Sequence, residues 1–530
     1  MRGRFIITRR KFTALCAFGG ASLISSGRSF DALAQTDAAP SAESTDDADY
    51  IKAMNGVLDA VPLAESDPDR PTYHFHPPAQ WTNDPNGTFY YRGWHHLFYQ
   101  LDPFSPTPGH QHWGHARSRD LVNWEHLPIA IWPSASKGER AIFSGGAAIA
   151  ADGKPRLIYT SIGHPEPEQW LAYPVDDELI RWEKYANNPV MDESIHKNGA
   201  IRSWRDPFMF KEAGATYMVC GGGSLAGKAQ VQLYKAVNGD LTAWEHLGAV
   251  FQTLERKDRN YECPNLFKLD GKWVLILSPN RPCEYYIGDL DLERVEFIPQ
   301  AHDILDPGNS YASNISVDDK NRTILWLWGR TNASAGKGWN GVITIPRILS
   351  VGPDGYLRQR PAPGLETLRT DEQSFPASEL EKPLILEGVT GFSTEIVAEF
   401  SGAGTFGLEL RRSRAGTPGV VVQIQRGYLM LGDQIRAYIG SAERYKLQVY
   451  LDRRCIEIFA NDGSAAIYNQ IEAPIEDQGM AVFAIPQPAR PPGFSLGPTV
   501  QAPTDKPPKL ESLNVWSMRP AQFSMERFHV

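Results

Sequence analysis

The chain has 530 residues with 42% hydrophobic content, more than one hydrophobic core usually supports, so two domains plus a targeting or linker segment are expected. Residues 1–34 carry six Lys/Arg and one Asp, so the formal charge of −9 becomes −14 without them. This acidity argues against nucleic acid or an anionic membrane surface as a partner, because phosphate binding needs clustered cations. The 14 Trp, 20 Tyr, 46 Gly and 40 Pro favour short strands and tight turns, and therefore an all-β fold.

The first segment, residues 1–34, is typical of a twin-arginine signal peptide. Arg9-Arg10 precedes an apolar stretch from Phe12 to Ile24, and Ala32-Leu33-Ala34 offers a small-residue cleavage site. We therefore expect an exported protein, periplasmic or extracellular. Residues 35–70 are polar and acidic and predict a linker. No later stretch approaches the roughly 18 apolar residues of a membrane span, so none is expected.

A repeat organises residues 71–370. A turn residue followed by a short apolar run recurs at spacings of 60, 61, 57 and 50 residues, with the turn residues Gly93, Gly153, Gly214, Gly271 and Asn321. The pattern Leu-x-x-Trp-Glu keeps the same period, starting at Leu121, Leu179 and Leu241. Five units of this length and composition predict a five-bladed β-propeller, with a single large sandwich as the alternative.

Beyond residue 370 the repeat stops. Short strand-like runs continue, and Asn461-Asp462-Gly463 is a turn signal between two of them. We predict a C-terminal β-sandwich over residues 383–530. The cysteines show neither CxxC pairs nor regular spacing, so they specify no metal site and no disulfide pairing.

The repeat also predicts where side chains converge. Read back from the turn residues, Asp84, Ser144, Asp206 and Glu262 lie eight or nine residues before the turn of four successive units. Since the innermost strands of a propeller face its axis, these residues should meet in one pocket. Taken alone, Asp84-Pro85-Asn86-Gly87 is better explained as a turn and Arg205-Asp206-Pro207 as an ion pair, and Glu262-Cys263 carries almost no signal. Together they suit a glycosidase, which needs one ionised and one protonated carboxyl group.

Other polar and aromatic residues near these motifs could bind a sugar by hydrogen bonds and stacking. The candidates are Trp81, Asn83, Gln100, Trp113, Phe143, Ser144, Arg205 and Trp339. His110, His112 and His115 have a spacing that could suggest a metal, but no fourth ligand is evident, so no metal is expected.

The motifs resemble those of glycoside hydrolase family 32, the invertases, levanases, inulinases and related fructosyltransferases. The marks that carry the resemblance are Trp81-Thr82-Asn83-Asp84-Pro85-Asn86-Gly87, Phe98-Tyr99-Gln100, Trp113-Gly114-His115-Ala116, Phe143-Ser144-Gly145, Arg205-Asp206-Pro207, Glu262-Cys263 and Ile345-Pro346-Arg347. They occur in order over roughly residues 72 to 475. Two residues depart from the family pattern, Thr82 for the usual Met and Asn265 where many relatives carry Asp, and they bear on substrate preference.

The resemblance implies a retaining β-fructofuranosidase that needs no cofactor and acts on sucrose or fructans. It implies that Asp84 is the nucleophile, Asp206 the transition-state stabiliser and Glu262 the acid/base, with Arg205 contacting the fructosyl unit. Three alternatives stay open: a fructosyltransferase with the same residues, an inverting glycosidase acting on arabinan, and a non-catalytic sugar-binding propeller. The residues do not fix the substrate, exo or endo attack, or the oligomeric state.

Overall fold

The computed structural model describes residues 42–197, 199–252, 258–333, 336–486 and 507–529, so the predicted signal peptide over 1–34 lies outside the described residues. The protein is nearly all-β, with a five-bladed β-propeller followed by a β-sandwich, as the sequence predicts. The two sheets of the sandwich come from the C-terminal part of the chain, and five sheets form the blades. Within the described ranges, no helix combines the length and the apolar character needed to cross a membrane.

Each blade is built around an antiparallel meander, and its first strand lies innermost. Blade 1 consists of β1 (Gln80–Tyr91), β2 (Trp94–Asp102), β3 (His112–Ser118) and β4 (Trp124–Ile131), and blade 2 of β5 (Ala141–Ile149), β6 (Pro155–Ile162), β7 (Glu168–Pro174) and β8 (Trp182–Lys184). Blade 3 consists of β9 (Arg202–Glu212), β10 (Ala215–Gly223), β11 (Ala229–Ala236) and β12 (Trp244–Gln252), and blade 4 of β13 (Glu262–Leu269), β14 (Lys272–Ser278), β15 (Glu284–Asp291) and β16 (Glu296–Ile304). Blade 5 consists of β17 (Ser310–Val317), β18 (Thr323–Gly329) and, after the short β19 (Trp339–Asn340), β20 (Val342–Ile343), β21 (Arg347–Val351) and β22 (Leu357–Pro361). Single 3-10 turns lie at Ala135–Lys137, Glu193–His196, Pro363–Leu368 and Asn461–Gly463.

The repeated turn residues have one structural role. Gly93, Gly153, Gly214 and Gly271 have φ values of 86°, 78°, 79° and 79°, and Asn321 has 56°. Each stands in the hairpin between the first two strands of its blade, where a left-handed residue lets the chain reverse tightly. The repeat found in the sequence is therefore the series of inner hairpins.

The second repeat fixes the outer part of three blades. Leu121, Leu179 and Leu241 all have positive φ, at 68°, 59° and 63°, an uncommon conformation for a branched side chain. The buried Trp182 and Trp244 begin the outermost strands, and their indole N–H groups donate to the carbonyls of Leu179 (3.0 Å) and Leu241 (2.9 Å). The constant spacing of three residues between Leu and Trp allows this hydrogen bond, which closes the turn before the outermost strand.

The sandwich packs a seven-stranded sheet against a six-stranded sheet. Its strands are β23 (Arg369–Phe375), β24 (Ser378–Glu379), β25 (Leu384–Ile385), β26 (Ser393–Ser401), β27 (Gly404–Arg412), β28 (Val420–Gln425), β29 (Tyr428–Leu431), β30 (Ile435–Tyr438), β31 (Arg444–Asp452), β32 (Cys455–Ala460), β33 (Ala465–Gln470), β34 (Gly479–Pro486) and β35 (Lys509–Met518). A last strand, β36 (Phe523–Ser524), pairs in parallel with β4 of blade 1. The sandwich thus differs at both ends from the predicted 383–530, because β23 and β24 already pair with β35 and the chain afterwards returns to the propeller.

The predicted linker over 35–70 differs more strongly, since Ala42–Glu65 forms a helix, α1. Ala53, Met54 and Val57 are buried and join the hydrophobic core of blade 1. Asp47, Asp49, Asp59 and Glu65 are exposed. The helix approaches the β2–β3 connection so closely that a Cβ atom on Gly56 would lie 2.6 Å from the Pro103 carbonyl oxygen. The small apolar residues, spaced along one helical stripe, drive this packing despite the polar composition.

A buried ionic network joins propeller and sandwich. His74, which precedes β1, bonds to Asp452 (2.9 Å) and Glu457 (3.2 Å) of the sandwich, and Arg347 of β21 bonds to Glu457 (2.8 Å) and Asp306 (2.9 Å). All five side chains are fully buried. Burial alone would lower the pKa of His74, but the two carboxylates raise it to about 9, so the imidazole is a cation in the neutral range. The interface is therefore charged but paired.

Candidate active site

At one end of the propeller axis, all five inner strands carry an irregularity in their pairing with the second strand of the blade. The skipped segments lie between Thr82 and Pro85, Ile142 and Gly145, Arg205 and Phe208, Glu262 and Asn265, and Tyr311 and Ser313. Bulges of this kind redirect side chains. Asp206, Cys263 and Ala312 within them have φ values of 63°, 45° and 44°. Such left-handed residues cost about 1–3 kcal/mol each and concentrate at functional sites.

Asp84 lies in the skipped segment of β1. Its Oδ2 accepts a hydrogen bond from the Ser144 hydroxyl of β5 at 2.6 Å and lies 3.5 Å from the Cys263 sulfur of β13. Burial raises the pKa of Asp84 to about 6; the Ser144 hydrogen bond opposes this rise and the charge of Glu262 adds to it. The carboxylate is thus ionised at neutral pH, and only one of its oxygens is engaged by these two groups.

Asp206 is held by three blades at once. Its backbone N–H donates to Thr160 Oγ1 of β6 at 2.9 Å, and its Oδ2 accepts from the Cys263 N–H at 3.0 Å. The Arg205 Nε lies 3.6 Å from the same oxygen. Burial raises the pKa of Asp206 to about 7, against the attraction of Arg205 and reinforced by the charges of Glu262 and Asp84.

Glu262 begins β13 and stands between a cation and a phenol. The Arg205 Nη2 donates to its Oε1, and the Tyr311 hydroxyl of β17 contacts its Oε2. The same hydroxyl lies 2.9 Å from the Ser278 carbonyl oxygen, which fixes the ring from behind. Burial, followed by the Glu262 charge, raises the pKa of Tyr311, so the phenol remains a proton donor.

The three carboxyl groups come from blades 1, 3 and 4, and Cys263 and Arg205 connect them. One carboxylate, fixed by a hydroxyl, can attack an electrophilic carbon. Another, held between a guanidinium and a phenol, can deliver and recover a proton. A retaining glycosidase uses two carboxyl groups in these two roles.

Comparison with known proteins gives the family. The family description "Glycosyl hydrolases family 32 N-terminal domain" matches residues 74–361, more than half of the chain, and "Glycosyl hydrolases family 32 C terminal" matches residues 364–489. The chain belongs to glycosyl hydrolase family 32. It is thus a glycoside hydrolase of the family that contains fructofuranosidases and fructan hydrolases.

This family 32 enzyme is similar to proteins that act on fructans, sucrose 6-phosphate and sucrose, judging by their names. A levanase of Bacillus subtilis (strain 168) is 30% identical over 500 residues, covering 82% of this chain and 71% of the relative. A sucrose-6-phosphate hydrolase of the same organism is 30% identical over 460 residues, covering 78% and 91%. Among solved structures, a variant of the Bombyx mori GH32 β-fructofuranosidase in complex with sucrose has a TM-score of 0.71 at 27% identity, covering 90% of this chain and 98% of that one.

The structure of the family 32 enzyme brings together most of the predicted pocket residues. Asn83, Phe143 and Arg205 are half-buried beside the carboxylates, and Ser144 bonds to Asp84. Trp81 and Gln100 are buried. The backbone N–H of Trp81 donates to the Ser105 carbonyl at 3.1 Å, and the Gln100 Nε2 donates to the Ile142 carbonyl at 3.4 Å.

Two predicted stacking residues do not present a face to a sugar. Trp113 is fully buried in the core between blades 1 and 2, and its indole donates to the Phe143 carbonyl at 3.1 Å. Trp339 is 2% exposed, and its indole donates to Asp67 at 2.8 Å. Both rings pack inside the protein because neighbouring strands and α1 enclose them.

The two departures from the family pattern are buried. Thr82 donates to the Gln100 carbonyl at 2.8 Å, and Asn265 accepts from the Ser313 hydroxyl at 2.6 Å. Neither side chain touches Asp84, Asp206 or Glu262 through a hydrogen bond among the described residues. Asn265 also lines the small axial cavity together with Asp206, whereas Thr82 is bonded to β2.

The three histidines weighed as metal ligands have other contacts. His115 stacks on Phe98 at 4.0 Å, with its Nε2 3.0 Å from the Nδ1 of His96, and His112 bonds to the His110 carbonyl at 2.7 Å. Within the described part of the chain, no group of three or more His, Cys, Asp or Glu side chains is arranged to hold a metal ion.

Sequence reasoning missed two pocket residues, Tyr311 and Arg330. Tyr311 had a signal, since it lies ten residues before Asn321, close to the register that located the carboxylates. Arg330 follows β18 outside any motif. Its guanidinium packs over the rings of Tyr311 and Trp328, at 4.3 and 5.0 Å from their centres.

Proposed function

We propose that the protein is an exported retaining β-fructofuranosidase that releases terminal fructosyl units from sucrose or fructans. Asp84 acts as nucleophile, Glu262 as acid/base and Asp206 as transition-state stabiliser. The observation that carries this proposal is the convergence of the three carboxyl groups, with Asp84 oriented by Ser144 and Glu262 held between Arg205 and Tyr311.

In the first step, an Asp84 oxygen bonds to C2 of the fructosyl unit while the bond from C2 to the leaving oxygen breaks. The Glu262 proton passes to that oxygen. In the second step, Glu262 takes a proton from water, the water oxygen bonds to C2 and Asp84 is released. Asp206, close to Arg205, is placed to accept hydrogen bonds from fructosyl hydroxyls in both steps.

The shape of the pocket base supports attack at chain ends. Below the carboxylates, the axial cavity lined by Pro207, Pro264 and Asn314 has a volume of only about 10 Å³, room for roughly one water. Because so little space lies at this base, we propose that a terminal fructosyl unit enters from the open end of the axis. The levanase and the sucrose-bound structure among the relatives support fructans and sucrose as the substrate class.

Hydrolysis of sucrose, levan and inulin, with product sizes and the anomer first released, tests the proposal. We expect free fructose as the first product with its β configuration retained. Release of the opposite anomer would contradict the nucleophilic role of Asp84. At high sucrose, transfer products in excess over fructose would instead identify a fructosyltransferase.

A further inference from the structure

Arg330 follows β18 of blade 5 and lies against Tyr311, beside the carboxylates. Its backbone N–H donates to the Asn309 carbonyl at 3.1 Å, and its own carbonyl accepts from the Asn309 side chain at 2.7 Å. The guanidinium lies over Tyr311 and Trp328, and Trp328 in turn meets Trp81 edge to face at 6.3 Å. The cation is therefore held flat against a wall of aromatic rings.

The guanidinium has hydrogen-bonding capacity that the protein does not use. The Arg330 Nε is buried with no hydrogen-bond partner, and among the described residues this side chain forms no ion pair, although its charge lowers the pKa of Asp84. The Nε1 of Trp328, whose ring lies under Arg330, shares this condition. Leaving polar groups unpaired is costly, so a guanidinium that makes no hydrogen bond to the described residues favours a ligand that accepts from it.

The position of Arg330 indicates which part of the substrate it meets. It packs on Tyr311, and the Tyr311 hydroxyl contacts Oε2 of Glu262. In a retaining glycosidase the acid/base carboxyl group lies beside the leaving oxygen. Given the proposed function, Arg330 is then on the leaving-group side of the bond that breaks.

We propose that Arg330 binds the sugar unit on the leaving-group side, donating hydrogen bonds from its guanidinium to the hydroxyl oxygens of that unit. The guanidinium has only donors, which match the lone pairs of a polyol. Arg330 would thus favour fructosides whose leaving group is itself a sugar over those with a small or apolar leaving group.

The test compares two substrates that share the fructosyl unit. Sucrose carries a sugar leaving group, whereas fructosyl fluoride carries none. Arg330→Gln is expected to lower kcat/KM on sucrose by about 10- to 100-fold, mainly through KM, the loss typical of a hydrogen bond to a charged group. On fructosyl fluoride the same variant should stay within about threefold of the wild type. Arg330→Lys keeps the charge but not the planar guanidinium, so its kcat/KM on sucrose should lie between those of the wild type and Arg330→Gln.

The matched control is Arg360→Gln, an exposed arginine of the same blade, which should behave as the wild type on both substrates. Equal losses on sucrose and fructosyl fluoride would overturn the proposal, because Arg330 would then act on the fructosyl unit or on the carboxylates. Unchanged kinetics on both would overturn it as well. If Arg330→Gln does not fold, Arg330→Lys is judged by the same criterion. A wild type inactive on both substrates would instead refute the proposed function itself.

Discussion

The hydrogen bond from Ser144 favours the ionised form of Asp84, so Ser144→Ala should raise the pKa of Asp84 and shift the acidic limb of activity to higher pH. The hydroxyl lies 2.6 Å from the carboxylate and opposes the effect of burial, which raises the pKa of Asp84 to about 6. A hydrogen bond to a charged group contributes about 1.5–3 kcal/mol, and each pKa unit corresponds to about 1.4 kcal/mol. Removing the hydroxyl should therefore raise the pKa of Asp84 by about one to two pH units.

The assay is the pH dependence of kcat/KM on sucrose, which reports ionisation in the free enzyme. Asp84 must be ionised to attack, so activity should fall as the pH drops through its pKa, and the variant should lose activity at a higher pH than the wild type. Ser313→Ala is the matched control, because its hydroxyl makes an equally short bond, 2.6 Å, to the neutral Asn265. An acidic limb that moves in both variants, or in neither, would refute the reasoning whatever happens to the maximal rate.

Three further predictions concern roles, stability and export. Asp84→Ala should abolish turnover of every fructoside, whereas Glu262→Ala should give a burst on fructosyl fluoride and be accelerated by azide; the reverse pattern in pre-steady-state measurements would exchange the two roles. The His74 pKa of about 9 lies above the ordinary value of 6.5, so its ion pairs stabilise the fold fully below about pH 6.5 and less as the pH rises through 9. The difference in unfolding free energy between wild type and His74→Gln should therefore shrink from neutral to alkaline pH, and a constant difference would contradict the charged state. Replacing Arg9 and Arg10 with lysine should retain the precursor in the cytoplasm, as judged by fractionation; unchanged secretion would rule out the twin-arginine route.

The positions of the carboxylates could be predicted because the repeat ties sequence distance to blade geometry. Gly93 and its counterparts mark hairpins, so counting back along an inner strand locates the axis. The repeat does not determine which way the side chains of residues outside the inner strands are oriented. The sequence shows that Trp113 and Trp339 are aromatic, but which way each ring faces depends on packing against other strands.

Three features left no usable pattern. In α1 the buried residues are mostly Ala and Val among acidic neighbours, so composition indicates a linker although the stripe suffices for packing. The strand β23 has mostly exposed or half-exposed polar residues, without the alternation that identifies a strand. Arg330 is a pocket residue only because two aromatic rings of neighbouring strands hold it there.

The parallel pairing of β36 with β4 makes the sandwich an insertion rather than an appendage. Its strands lie in the chain between blade 5 and the last residues, which complete the outer edge of blade 1. The contact between this segment and blade 1 joins residues 399 positions apart in the chain, at Gln522 and Asn123. Cutting after the propeller would remove that edge strand together with the sandwich. The outer edge of blade 1 is thus completed by residues that follow the sandwich in the chain.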